Sequence, residues 1–406
     1  MIIKSRIQFL SYLSPEHRLL ILLCGYQDEE TIAETKFWLL KPFNWTKLIA
    51  LSERHRVLPL LYKSVKKFSY STVIDVPQEL KEKYLAQTEH VMRLASEGIR
   101  ISEILKQKAI ENILLKGPFL SQQIYDDIAI RPSRDIDILV HPNKVDETIS
   151  VLTQEGYRLI YPDFPLSRKQ QEFYRKRKNQ IALKNPRTAV LIEIHWRLFS
   201  QRELLPISIE DVFVESREVE IASKLVRVLS FKHNFEFLCL HGSIHQWFRL
   251  IWLRDIAQML LSGMVPVDEA IVNAKENGNE IPVLQAIQLV NSFFGTCYLL
   301  SPIELKKVKS IVIQAETAII SNEKLTLSHK LSRLRIPIYK MRLKQGFRYK
   351  LTCWSLLEPN FNDWKMVKLP DSFFFLYFPL RPFIWFYSFY IKKVVNKKQF
   401  NKRVLD

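Results

Sequence analysis

The sharpest alternation of apolar and polar positions runs through Arg131-Pro-Ser-Arg-Asp-Ile-Asp-Ile-Leu-Val140, where Asp135 and Asp137 interleave with Ile136, Ile138 and Val140. A period of two sends successive side chains to opposite faces, so this pattern predicts a strand with both carboxylates on one face and an apolar run at its end. A second strand pattern, Ala189 to Trp196, sets Leu191, Glu193 and His195 opposite Ile192, Ile194 and Trp196. Upstream, Ile113 to Lys116 reads as a strand that feeds a helix from about Pro118 to Tyr125, with Pro118 in the first turn, where its missing N–H costs nothing. A helix from about Lys144 to Glu155, a strand over Gly156 to Ile160, and a hairpin of Gln180–Lys184 with Ala189–His195 around Asn185-Pro-Arg187 complete the expected sheet unit.

Helical spacing governs the flanks. From Ser14 to Lys106 apolar residues recur at helical period, punctuated by Pro42, Pro59 and Pro77. From Asn234 to Ser262 the chain is apolar on most sides, which predicts one largely buried helix. On that helix His241, His245, Phe248, Trp252 and Asp255 would lie along one face. Metal ligation, structural hydrogen bonding, and contact with a nucleotide or acceptor all remain open for the two histidines.

Two neighbouring carboxylates repel each other, an arrangement tolerated mainly where a divalent cation such as Mg²⁺ sits between them. With Glu193 on a second strand, three carboxylates can hold two metals, the geometry used in phosphoryl and nucleotidyl transfer. The alternatives are a solvated strand end for Asp135 and Asp137, and a surface hairpin position for Glu193.

Leu115-Lys116-Gly117-Pro118, Arg131, Asp135-Ile-Asp137-Ile-Leu-Val140 and Glu193-Ile-His195-Trp196 together resemble the bacterial uncharacterised nucleotidyltransferase family, part of the polymerase-beta-like nucleotidyltransferase superfamily. Asn44-Trp45 with His55-Arg-Val-Leu-Pro-Leu-Leu61, and Leu240-His241-Gly242 through His245, Trp247, Arg249-Leu250, Trp252 and Asp255, extend the resemblance over most of residues 35–265. It implies an α+β fold: a small mixed-sheet nucleotidyltransferase core at 107–230, an N-terminal helical unit at 1–106, a C-terminal helical unit at 231–370, and an aromatic and basic segment at 371–406. It further implies an NTP substrate and two Mg²⁺ ions held by Asp135, Asp137 and Glu193. Lys116, Gly117 and the following helix start would face phosphate oxygens, Arg131 and Arg134 the departing pyrophosphate, and His195, His241 and His245 the nucleotide or acceptor. One departure stands out. The superfamily turn usually reads Gly-Gly or Gly-Ser close to the acidic pair, whereas here Gly117-Pro118 lies 18 positions before Asp135.

Charge adds an anionic partner to this picture. Lys plus Arg outnumber Asp plus Glu by 60 to 42, a net +18 and a sequence pI near 9.6, which suits a nucleotide, a nucleic acid or an acidic lipid surface. Nucleic acid is the least favoured, since no groove-reading module or stacking platform is apparent. Hydrophobic content of 47% with 12% aromatics excludes a disordered chain. Cys24, Cys239, Cys297 and Cys353 are scattered, as expected in a reducing cytoplasm, and the apolar run Leu19–Cys24 is too short for a signal peptide or a span. Arg168 to Lys178 forms a basic stretch broken by Glu172, Phe173 and Tyr174, readable as a phosphate contact or as a solvated face. Arg333 to Lys350 holds seven cations and no acid. Phe373 to Ile391 holds eleven aromatics in nineteen residues and precedes a lysine-rich tail, so residues 373–403 would either touch an anionic inner-membrane surface or pack on the core. Arg381 between Pro379 and Pro382 argues against a spanning helix. The rival reading of the whole chain is a degenerate transferase fold serving as a scaffold in a polysaccharide or modified-peptide assembly cluster.

Overall fold

The computed structural model describes residues 10, 13–70, 72, 74–321, 336–353 and 358–387. Five strands build the central sheet: β1 (Asn112–Leu114), β2 (Ile136–Val140), β3 (Arg158–Tyr161), β4 (Gln180–Lys184) and β5 (Leu191–His195). Their order across the sheet is β1-β2-β5-β4-β3, with β2 and β5 parallel and all other pairs antiparallel. This mixed sheet among helices is the expected α+β class. A separate hairpin, β6 (Arg217–Ile221) and β7 (Lys224–Val228), turns through Ala222 and Ser223, both with positive φ as a tight two-residue turn requires.

Helices α1 (Pro15–Cys24), α2 (Glu29–Leu39), α3 (Trp45–Arg54), α4 (Leu58–Ser69) and the 30-residue α5 (Gln78–Gln107) precede the sheet. Within the sheet unit lie α6 (Gly117–Tyr125), α7 (Val145–Gln154) and α8 (Arg168–Arg177), and α9 (Ile209–Val214) follows it. After the hairpin come α10 (Phe231–Ile244), α11 (Leu250–Leu261), α12 (Val267–Glu276), α13 (Glu280–Phe294), α14 (Pro302–Ile320), α15 (Phe347–Thr352) and α16 (Phe361–Met366).

Alternation along β2 and β5 decides what covers each face of the sheet. Ile136, Ile138, Val140, Ile192 and Ile194 pack with Leu94, Ile101 and Leu105 of α5, with Phe119, and with Tyr377 and Ile384 from the aromatic segment. Gly98 permits that close fit, because a Cβ there would lie 2.4 Å from the Phe119 ring. Ile113, Leu115 and Leu139 belong instead to an apolar core shared with helices on both flanks, among them Leu48, Leu61, Phe237, Trp252 and Ile287. The N-terminal and C-terminal helical stretches therefore share one core. It lies over the same sheet face that carries Asp137.

The expected continuous helix from Asn234 to Ser262 is two helices. The chain leaves α10 after Ile244, passes through left-handed conformations at Gln246 and Trp247, and re-enters a helix at Leu250. Trp247 is the cause: its ring is fully buried over Gly242, where an added Cβ would sit 2.4–2.5 Å from ring carbons. Its backbone N–H donates to the Gly242 carbonyl at 2.8 Å and its indole N–H to Gln285 Oε1 at 3.2 Å. The strand expected at Gly156–Ile160 begins later, at Arg158, because Gly156 with φ of +85° belongs to the preceding turn. Of the basic run at Arg333–Lys350, Arg333 and Arg335 lie outside the described residues, as do residues 388–406 of the aromatic and basic tail.

Gly242→Ala is expected to destabilise the protein by about 1–3 kcal/mol, the usual cost of overpacking a fixed core. Urea unfolding measures this, and a variant equal to wild type would contradict the Trp247 account.

Candidate active site

Parallel pairing in register puts Asp137 opposite Glu193, Ile136 opposite Ile192 and Leu139 opposite His195. Asp135, expected on the same strand, lies instead in a bend just before β2, close enough to Asp137 and Glu193 for both to raise its pKa. The sequence thus folds three acids and an imidazole onto one patch of sheet. His195 Nε2 lies 2.8 Å from Asp137 Oδ1 and 3.7 Å from Glu193 Oε2. Ligand atoms of Asp137, Glu193 and His195 all lie within 4.8 Å of one another. Gln180, opposite His195 on β4, donates from Nε2 to Glu193 Oε2. Lys116 Nζ stands 3.8 Å from Asp137 Oδ1 and over the Phe237 ring.

The acids are electrostatically unequal. Burial and the neighbouring Asp137 and Glu193 raise the Asp135 pKa, against the pull of Lys116 and Arg56. Burial would also raise Asp137, but Lys116 and the His195 hydrogen bond outweigh it and hold that carboxyl well below its usual range. For His195 burial works the other way, lowering the pKa, and the hydrogen bonds to Asp137 and Glu193 reverse the sign and raise it. The oxygen-rich donor set suits a hard divalent cation. The His195 nitrogen meets Asp137, which ties the imidazole to that carboxylate.

At the other end of the acidic row, Gly117 opens α6 with φ of +63°, and a Cβ there would press on Ser133 at 3.0–3.1 Å. Only glycine satisfies both demands. Arg134 is exposed beside the acidic pair. Arg131 is committed elsewhere: its Nε donates to the fully buried Asp255 at 2.9 Å, and Asp255 also accepts from the Tyr125 hydroxyl at 2.9 Å. His241 and His245 come together with Phe248 and Trp252 as a ring cluster, with His241 centroids 4.8 Å from His245 and 5.1 Å from Trp252, although two helices rather than one supply them. Desolvation, Lys116 and His245 hold the His241 pKa well below its ordinary value, and desolvation with Lys340, Lys116 and Arg249 holds His245 at about 4. Both rings are neutral at physiological pH.

Two cations went unread in the sequence. Arg56 and Arg249 both lie within electrostatic reach of Asp135 and of Arg134. Burial lowers the Arg56 pKa to about 10, with Arg249, Arg131 and Arg134 adding to it. A buried joint sets the pair: His55 Nδ1 accepts the Leu250 N–H at 3.2 Å and the His55 carbonyl accepts the Ile251 N–H at 3.2 Å. Burial drives the His55 pKa down to about 3, so the ring stays neutral and its nitrogen remains an acceptor. The two dipeptides, His55-Arg56 and Arg249-Leu250, were visible as motifs, but their meeting was not.

The profile of the family described as uncharacterised nucleotidyltransferase matches residues 41–295, more than half of the chain. The chain belongs to this family. No curated protein matches it. The nucleotidyltransferase match spans the three acids and both halves of the His55–Leu250 joint. Beside the acids, at the His195 end, the transferase has a cavity of about 890 Å³ whose lining includes Lys116, Gln180, His195, Phe237, His241 and His245. The basic stretch at 168–178 proves to be α8, closed at its start by a Ser167–Gln170 capping box, and its last turn forms part of the cavity wall.

Asp255→Asn and Arg131→Met are each expected to cost about 3–5 kcal/mol, because each strands a buried charge. The double variant Arg131→Met with Asp255→Leu should recover much of the loss. If the single variants unfold like wild type in urea while nucleotide binding weakens, Arg131 serves phosphate and not the fold.

Proposed function

We propose that this nucleotidyltransferase moves a nucleoside monophosphate from an NTP to a hydroxyl or phosphate oxygen of an acceptor, with Asp135, Asp137 and Glu193 holding two Mg²⁺ ions. The observation that carries this reading is the register of β2 with β5, which aligns Asp137 with Glu193 beside Asp135, whose pKa burial and these two acids raise despite Lys116 and Arg56. When bound, Mg²⁺ supplies charge stabilisation to the triphosphate and lowers the pKa of an attacking hydroxyl.

The protein's own groups take the remaining tasks. Arg56, Arg134 and Arg249 face the charge that grows on the leaving pyrophosphate, supported by their position around Asp135. Gly117 lets the chain approach phosphate closely at the start of α6. His195 fixes Asp137 through Nε2, Gln180 fixes Glu193, and Glu193 accepts the proton of an attacking hydroxyl. Lys116 balances Asp137 between substrates, and Arg131 positions the loop before β2 through Asp255. Residues 107–230 carry the chemistry and the flanking helices bring the arginines to it.

A peripheral membrane role rests on one observation. In the aromatic segment Phe375, Phe383, Phe386 and Tyr387 are exposed, while Tyr377 and Ile384 are buried against the core. Among the described residues no helix is long and apolar enough to cross a membrane. We read the exposed rings as a contact for an anionic lipid surface. Phe383→Ser with Phe386→Ser should then lower the fraction that sediments with phosphatidylglycerol vesicles, and sedimentation equal to wild type would remove this role.

For the chemistry, calorimetry should detect Mg²⁺-dependent NTP binding by wild type, and Asp135→Asn with Asp137→Asn should abolish it. The double variant should keep a cooperative thermal transition. Undiminished binding by the variant would sink the metal-site assignment.

A further inference from the structure

The cavity at the His195 end carries more positive charge than its own acids answer. Its wall includes Arg175, Lys176, Arg177, Lys178, Arg197 and Lys340. Arg175 pairs with Asp146, and Arg177 with Glu358 at 3.3 Å. Among the described residues the other four have no ion pair, and neither has Arg202 further along the wall. Arg197 is half-buried and spends Nη2 on the carbonyls of Arg175, Lys176 and Lys178, fastening the exit of β5 to the end of α8. Among the described residues its Nε and Nη1 are buried without a hydrogen-bond partner, as is Nη1 of Arg175. Among the described residues these three guanidinium nitrogens find no acceptor, so both wall residues keep donors that a small turn of the side chain would offer to an oxygen-rich anion in the cavity. Lys340 adds an amine whose pKa burial lowers, and no hydrogen bond from it is seen among the described residues.

Position decides which substrate this charge serves. Arg56, Arg134 and Arg249 gather at Asp135, at the start of β2, together with Gly117. The cavity opens at His195, at the end of β5. In nucleotidyl transfer the attacking and leaving oxygens lie roughly in line on opposite sides of the transferred phosphorus. Two cation groups at opposite ends of one carboxylate row match that requirement, one for the pyrophosphate and one for the acceptor.

We propose that the acceptor is a small phosphorylated compound, such as a sugar phosphate, whose phosphate is anchored in this cavity by Arg197, Arg175 and Lys340. A volume of about 890 Å³ leaves room for an uncharged portion against Gln180, Phe237 and the neutral His241 and His245 rings. In the transfer the α-phosphorus gains a bond to an acceptor hydroxyl oxygen and loses its bond to the bridging oxygen, which leaves with pyrophosphate. The hydroxyl proton passes to Glu193, and the anchoring phosphate is not consumed. This inference rests on the metal-site reading above.

The test uses the full chain saturated with Mg²⁺ and an α,β-methylene NTP analogue, titrated calorimetrically with ribose 5-phosphate and with ribose. Ribose 5-phosphate should bind the loaded protein, ribose should not, and Lys340→Met should weaken the binding by roughly tenfold, as expected for one charge-assisted contact, without changing analogue binding. Arg197→Gln, which keeps donors for the α8 carbonyls, serves as a second variant. Displacement of the analogue by ribose 5-phosphate would make the cavity the triphosphate site and overturn the inference. Binding unaffected by both variants, or none to the loaded protein, would overturn it equally. A 5′-phosphorylated oligonucleotide that binds far more tightly than ribose 5-phosphate would assign the cavity to a nucleic-acid end instead. Failure of the analogue itself to bind would strike the metal-site reading first.

Discussion

The site depends on a repulsion built into the sheet. Pairing β2 with β5 in parallel and in register sets the Asp137 and Glu193 carboxylates side by side, with Asp135 in the bend just before β2. Like charges directly opposite are destabilising in a sheet, so the arrangement persists only where surrounding groups answer it. Lys116 and the His195 hydrogen bond answer Asp137. Burial and its two acidic neighbours keep the Asp135 pKa raised even with Lys116 and Arg56 nearby, and on the proposed reading a divalent cation would answer that charge.

The flanking helices matter because they aim charge at this patch. A single apolar core joins them across the acidic face, and the joint at His55 draws the start of α11 onto the end of α3. Arg56 and Arg249 arrive beside Asp135 as neighbours of that joint. Trp247 over Gly242 makes the sharp reversal that lets Arg249 reach it. Packing far from the acids therefore sets the electrostatics near them. The N-terminal helical unit supplies one of the three arginines, Arg56, and the C-terminal unit another, Arg249.

Much of this was legible in the chain. Period-two alternation placed Asp137 and Glu193 on strands and on one face, whereas Asp135, expected on the same strand, lies in a bend one residue before β2. Helix existence was also legible, because apolar period and proline punctuation act locally. The break between α10 and α11 was not, since it depends on a tryptophan ring finding a glycine surface within an apolar run that could equally continue as helix. Arg131 looked like a phosphate ligand because its partner Asp255 lies on a helix far along the chain. Arg56 and Arg249 were missed for the same reason: burial and tertiary contact, not local spacing, bring them together.

The central claim is that this carboxylate patch gathers two divalent cations around a nucleotide. Crystals of the full chain grown with Mn²⁺ and an α,β-methylene NTP analogue, measured for anomalous scattering, test it most directly. Two manganese peaks bounded by Asp135, Asp137 and Glu193, with the triphosphate running toward Arg56 and Arg249, are the predicted result. Bound nucleotide with no manganese at the three acids would contradict it.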